Sequence, residues 1–110
     1  MVLDNRQMNL HAGERNLDWL SKNIAAVAVK YGVEKIKLFG SRARGEENSQ
    51  SDYDFLIRRG KINSLIQYSA FVEELEELLG THVDVITDTS DDEEIIKTAE
   101  KEGILLYDRK

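Results

Sequence analysis

Leu17, Leu20, Ile24, Val27, Ala28 and Tyr31 recur at helical spacing and form one apolar stripe between Asn16 and Tyr31. A helix is predicted there, with Asn16 suited to cap its start and Gly32 falling just past its end. The period then changes. From Val33 to Phe39, Ile36 and Leu38 alternate with Lys35 and Lys37, which predicts a half-buried strand. Gly40 and Ser41 stop that strand, and Ser41 to Gly45 is expected to open a short helical turn. Glu46 to Ser51 carries no apolar residue and reads as a connection. Tyr53 to Ile57 is the second predicted strand, ended by Arg58-Arg59-Gly60. Ile62 to Leu79 predicts the longest helix, with Leu65, Tyr68, Val72, Leu75 and Leu79 as its stripe, Asn63 or Ser64 as cap and Gly80 as stop. Glu73, Glu74, Glu76 and Glu77 lie largely off that stripe and read as a solvated face. His82 to Ile86 is the third strand. Ser90-Asp91-Asp92-Glu93 has the pattern of a capping box opening a helix to about Lys101, with Ile95, Ile96 and Ala99 inward. Gly103 ends it, and Ile104 to Tyr107 is a short final strand. Strands alternating with helices predict an α/β layer structure.

The first 15 residues show no clean period. Leu3, Met8 and Leu10 could extend a helix or lie on a partner, so 1–15 is left unassigned and the domain is taken as 16–110. His11 reads as solvated, and Trp19 falls beside the first helical stripe as core or interface. At 110 residues the chain suits one domain with a single core and little room for a second lobe. With no cysteine, disulfides and thiolate metal sites are excluded. No apolar run reaches membrane-spanning length and no signal pattern opens the chain, so a soluble cytoplasmic protein is expected.

A net charge of −6 argues against a generic nucleic-acid binder, which needs many phosphate contacts. The charge is unevenly distributed. Residues 1–61 hold 11 Lys/Arg and 8 Asp/Glu, a balance of +3, whereas residues 62–110 hold 4 and 13, a balance of −9. The candidate chemistry lies in the positive half. Asp52 and Asp54 stand two apart at the start of a strand, so they share a face while Tyr53 points opposite, toward core or sheet. Starting about 6.6 Å apart, they can converge on cations, which in two-metal sites lie roughly 3.5–4 Å from each other. Gly40 beside the Ser41 hydroxyl at a strand end suits close approach of backbone N–H groups to phosphate oxygens, aided by the N-terminus of the following turn.

Gly40-Ser41-Arg42-Ala43-Arg44-Gly45 followed by Ser51-Asp52-Tyr53-Asp54 resembles the signature of the nucleotidyltransferase superfamily that includes DNA polymerase beta and kanamycin nucleotidyltransferase. The resemblance spans about Val33 to Tyr107, and the small size is similar to its minimal branch, the MNT domains found beside a HEPN-domain partner. It implies a polymerase-beta-like α/β (α+β) fold, with a small mixed sheet of about four strands packed with helices. It implies two Mg²⁺ ions and ATP as substrate, with Asp52 and Asp54 as metal-binding catalytic residues. It also adds a third carboxylate, Asp84 in His82-Val83-Asp84-Val85-Ile86, ligating the metal nearer the attacking hydroxyl and helping to deprotonate it. Gly40 and Ser41 would meet the β- or γ-phosphate, Arg44 matches the triphosphate-binding arginine of the family, and Arg42 would assist. His82 shares the face of Asp84, which leaves a place near the site open, with an ordinary cross-strand residue as the favoured reading; Asp88, Asp91 and Asp92 are accounted for by the capping pattern.

The resemblance further implies an antitoxin that moves AMP from ATP to a tyrosine hydroxyl of a HEPN toxin; almost nothing is left beyond the catalytic core, so the acceptor is expected to dock from outside. Met8, Leu10 and Trp19 offer docking surface for such a partner. Two alternatives stand beside it: a binding-only antitoxin with a vestigial site, and a nucleotidyltransferase for a small molecule of aminoglycoside type, completed by dimerisation or a separate chain. No membrane partner and no direct nucleic-acid partner is expected.

Overall fold

A computed structural model gives the fold and describes residues 17–45 and 52–109. Leu3, Met8, Leu10, His11, the Asn16 cap and the polar connection 46–51 lie outside the described residues. The elements in chain order are α1 (Leu17–Tyr31), β1 (Lys35–Phe39), α2 (Ser41–Arg44), β2 (Tyr53–Arg58), α3 (Leu65–Leu79), β3 (Val83–Thr87), α4 (Glu93–Glu102) and β4 (Ile104–Asp108). None of the described helices is long and apolar enough to cross a membrane.

The four strands form one sheet in the order β3-β2-β1-β4. β1 runs antiparallel to both of its neighbours, while β2 and β3 run parallel, so the sheet is mixed as expected. A parallel pair cannot be joined by a tight turn; it needs a crossover, and α3 supplies it.

Alternation along the strands sorts the two faces. Ile36 and Leu38 of β1 sit opposite Ile57 and Phe55 of β2, and all four are buried. With Val83 they meet Leu20, Ile24, Val27 and Ala28 of α1 and Phe71, Leu75 and Leu79 of α3 in one core. Phe71 is wholly buried and meets Tyr31 edge-on, with ring centroids 5.7 Å apart. On the other face, Phe39 sits opposite Asp54, and Lys37 reaches α4 through a hydrogen bond from Nζ to the Glu100 carbonyl at 3.1 Å.

Several local expectations are corrected. α3 begins at Leu65, not Ile62, because Ser64 caps it: Ser64 Oγ accepts from the Gln67 N–H at 3.1 Å, and Gln67 Oε1 accepts from the Asn63 N–H at 2.9 Å. Its inward face is centred on Phe71, Leu75 and Leu79, which places Leu65 roughly 80° off that centre. Leu65 is accordingly 78% exposed instead of belonging to the stripe. β1 starts at Lys35, since Val33 is still tied back to α1 by its N–H on the Ala28 carbonyl. α4 is capped by Asp92, whose side chain accepts from the Ile95 N–H, while Ser90 supports that cap by accepting from the Asp92 N–H. Of Ile95, Ile96 and Ala99, only Ala99 is buried. Trp19 is half-buried against the core, which fits its reading as core better than as docking surface.

Phe71→Ala should cost about 3–5 kcal/mol, since it removes a wholly buried ring and leaves a cavity between α1, α3 and the sheet. Urea unfolding of the variant measures this; a loss within the range of an ordinary surface substitution would contradict the packing of α3.

Candidate active site

The site gathers where β1 ends and where β2 and β3 begin. β1 breaks at Gly40, whose φ of 79° and ψ of −158° are open to glycine and strained for any other residue. A side chain there would also collide with Asp54 Oδ2, so the missing Cβ is what lets the Asp54 carboxylate lie against the turn. The Gly40 carbonyl accepts from the N–H groups of Ala43 and Arg44 and starts α2, which no side chain caps. Gly45 closes α2 in the left-handed conformation, its N–H on the Ser41 carbonyl.

Asp54 and Asp84 occupy the same register position of the parallel pair β2–β3, so their side chains leave the sheet side by side. Both lie on the face opposite the core, because Tyr53, Phe55 and Val83 are the buried positions between and beside them. Asp52, two residues before Asp54, joins them: an oxygen of Asp52, an oxygen of Asp84 and a ring nitrogen of His82 all lie within 4.8 Å of one another. Partial burial pushes the Asp54 carboxyl above the ordinary carboxylate range, and the charges of Asp84 and Asp52, with a hydrogen bond to Asp84, push the same way; Arg44 pulls it back. The three carboxylates are hard and anionic, and their mutual repulsion is relieved by cations. They fit Mg²⁺, which takes oxygen ligands from a few carboxylates and substrate phosphates.

His82 departs from its reading as an ordinary cross-strand residue. Its Nε2 lies 3.0 Å from Asp84 Oδ1 and its Nδ1 lies 3.1 Å from Glu76 Oε2. Glu76 Oε2 also accepts the backbone N–H of Val83 at 3.1 Å, so Glu76 is not part of a merely solvated face. The hydrogen bond to Asp84 raises the His82 pKa above its ordinary value, and the charges of Asp84, Asp52 and Glu76 add to it. Proximity of His82 to Asp84 was legible from their spacing of two on one strand. Nothing in the sequence marks which of the four glutamates of α3 turns toward β3.

The two arginines separate. The Arg44 side chain stands close enough to Asp54 to act on its charge and lies 3.6 Å from Glu102 of α4. The Arg42 guanidinium lies over the ring of buried Tyr53, 4.0 Å from its centroid. Asp92 caps α4, in keeping with the capping pattern, whereas Asp88 departs from that reading and pairs with Arg58 instead.

Because the folded state raises the Asp54 pKa, it holds that proton more tightly than the unfolded chain does. Stability of the metal-free protein should therefore fall as pH rises from the ordinary carboxylate value of about 4 through the raised one, and stay lower above it. Asp54→Asn should melt at a higher temperature than the parent in EDTA at neutral pH, with the gap closing in acid. Thermal melts across pH check this, and a variant less stable than the parent at neutral pH would contradict the electrostatic picture.

Residues 22–110 match the family model described as Polymerase beta, Nucleotidyltransferase. The protein adenylyltransferase MntA of Thermococcus cleftensis is 40% identical over 75 residues, which cover 68% of this chain and 76% of that protein. Among solved structures, a toxin–antitoxin with AMP-PNP superposes with a TM-score of 0.70 at 20% identity, covering 82% of this chain and 74% of that one. The complex of a tri-AMPylated Shewanella oneidensis HEPN toxin with its MNT antitoxin superposes with a TM-score of 0.65 at 17% identity, covering 84% of this chain and 73% of that one. At those identities the structures speak for the fold alone. The matched family model takes in the turn at Gly40, the acids of β2 and β3 and all four strands, and the chain belongs to the polymerase-beta-type nucleotidyltransferase family.

Proposed function

We propose that this chain is a protein adenylyltransferase that acts as the antitoxin of a HEPN toxin, moving AMP from ATP to a tyrosine hydroxyl of that partner. The observation that carries the reading is the meeting of Asp52, Asp54 and Asp84 beside the Gly40-Ser41 turn. The name of the Thermococcus relative supports the protein acceptor, and the HEPN–MNT complex of the same fold supports the partner.

In this reading ATP lies with its triphosphate along the turn. Gly40 admits it, the Ser41 hydroxyl and N–H bind the β- or γ-phosphate, and Arg44 adds a charge-assisted bond. Arg42 holds the turn against Tyr53 and so fixes its position relative to β2. Asp52 and Asp54 would hold a pair of Mg²⁺ ions with Asp84. Such a pair, when bound, stabilises charge on the attacking and leaving oxygens and orients them in line. Asp84 helps take the proton of the tyrosine hydroxyl. The hydroxyl oxygen forms its bond to the α-phosphorus as the bond to the β-phosphate oxygen breaks. The products are AMP-tyrosine and pyrophosphate.

Intact-mass spectrometry of the HEPN partner tests this, after incubation with the chain, Mg²⁺ and ATP. A gain of one or more AMP units is expected, and Asp52→Asn/Asp54→Asn should abolish it while still binding the partner. A stable complex with no mass gain would favour the binding-only antitoxin. Neither complex nor gain would favour a small-molecule acceptor.

A further inference from the structure

We propose that His82 is a positioning residue for Asp84, its ring clamped between Asp84 and Glu76. The inference rests on the metal-binding reading of the three aspartates. Asp84 stands on β3, an edge strand, and its side chain is 57% exposed. Such a carboxylate has little packing to fix its rotamer, and a site that must bind ions in one geometry needs it fixed. The fixing runs through a closed path. The N–H of Val83 donates to Glu76 Oε2 at 3.1 Å, and the same oxygen meets His82 Nδ1 at 3.1 Å. The other ring nitrogen, Nε2, meets Asp84 Oδ1 at 3.0 Å. Glu76 is thereby anchored to the backbone one residue before Asp84, so α3 and β3 together set the plane of the imidazole.

This placement supports a positioning role. Each ring nitrogen lies within hydrogen-bond distance of a carboxylate oxygen, Nδ1 of Glu76 and Nε2 of Asp84, so the ring is held from both sides. His82 engages one oxygen of Asp84, Oδ1. Histidine and carboxylate pairs that orient the ligands of a metal contribute about 10- to 100-fold in its affinity.

The test is Mn²⁺ binding, followed by the electron paramagnetic resonance of the free ion without any turnover. His82→Ala should weaken Mn²⁺ binding by about 10- to 100-fold. His82→Gln, whose amide N–H can still reach Asp84, should recover most of it. Circular dichroism of both variants should match the parent, since His82 is exposed and outside the core. Unchanged Mn²⁺ affinity in His82→Ala would overturn the proposal, and so would a His82→Gln variant as weak as His82→Ala. Asp52→Asn/Asp54→Asn separates the two levels of the argument. If it keeps the parent affinity, the metal reading of the cluster fails; if it loses binding while His82→Ala does not, only the role of His82 falls.

Discussion

Three carboxylates are held together by backbone geometry against their own repulsion. The parallel register of β2 and β3 sets Asp54 beside Asp84, the alternation of one strand brings Asp52 to the same face, and Gly40 gives Asp54 room where a side chain would exclude it. The core exists on the opposite face of the sheet, where α1 and α3 supply the apolar burial that offsets this arrangement. Division of labour between the two faces follows from the period of two along each strand. Positions that alternate inward carry Tyr53, Phe55 and Val83; the positions between them are free to carry charge. An acid cluster of this kind is poor structure and good chemistry: unfavourable alone, it becomes favourable when cations arrive with a triphosphate.

The crossover helix α3 does more than join the parallel strands. One of its faces packs Phe71, Leu75 and Leu79 into the core, and its last turns present Glu76 to the start of β3. The same helix therefore packs the core and reaches the environment of Asp84. α2 plays the matching part at the end of β1, short because Gly40 and Gly45 bracket it. Arg42 against Tyr53 ties that turn to β2, and Arg44 spans from the neighbourhood of Asp54 to Glu102.

Much of this was legible in the sequence because it depends on local periodicity. The four strands, the three long helices and the shared face of Asp52 and Asp54 follow from alternation, helical spacing and turn glycines. Asp84 could be placed on a strand with its side chain opposite Val83 and Val85, but its partner could not, because register is decided by tertiary pairing. Leu65 and Ile95 were misplaced for a related reason: helical spacing identifies a stripe and does not say how far each turn is covered by the sheet. The capping error at Ser90 arose where two overlapping polar residues could each start a helix, and Asp92 has the bond to the Ile95 N–H. Glu76 was invisible, since four glutamates in five positions look alike until the fold chooses one.

The central claim is that Asp52, Asp54 and Asp84 hold divalent ions against a triphosphate lying along the Gly40-Ser41 turn. A crystal structure of the chain with Mn²⁺ and a non-hydrolysable ATP analogue tests it directly, using the anomalous signal of the metal. The account predicts Mn²⁺ coordinated by Asp52 and Asp54 with Asp84 alongside, and phosphate oxygens within hydrogen-bond distance of Ser41. Metal density away from these carboxylates, or a triphosphate seated elsewhere on the sheet, would contradict it.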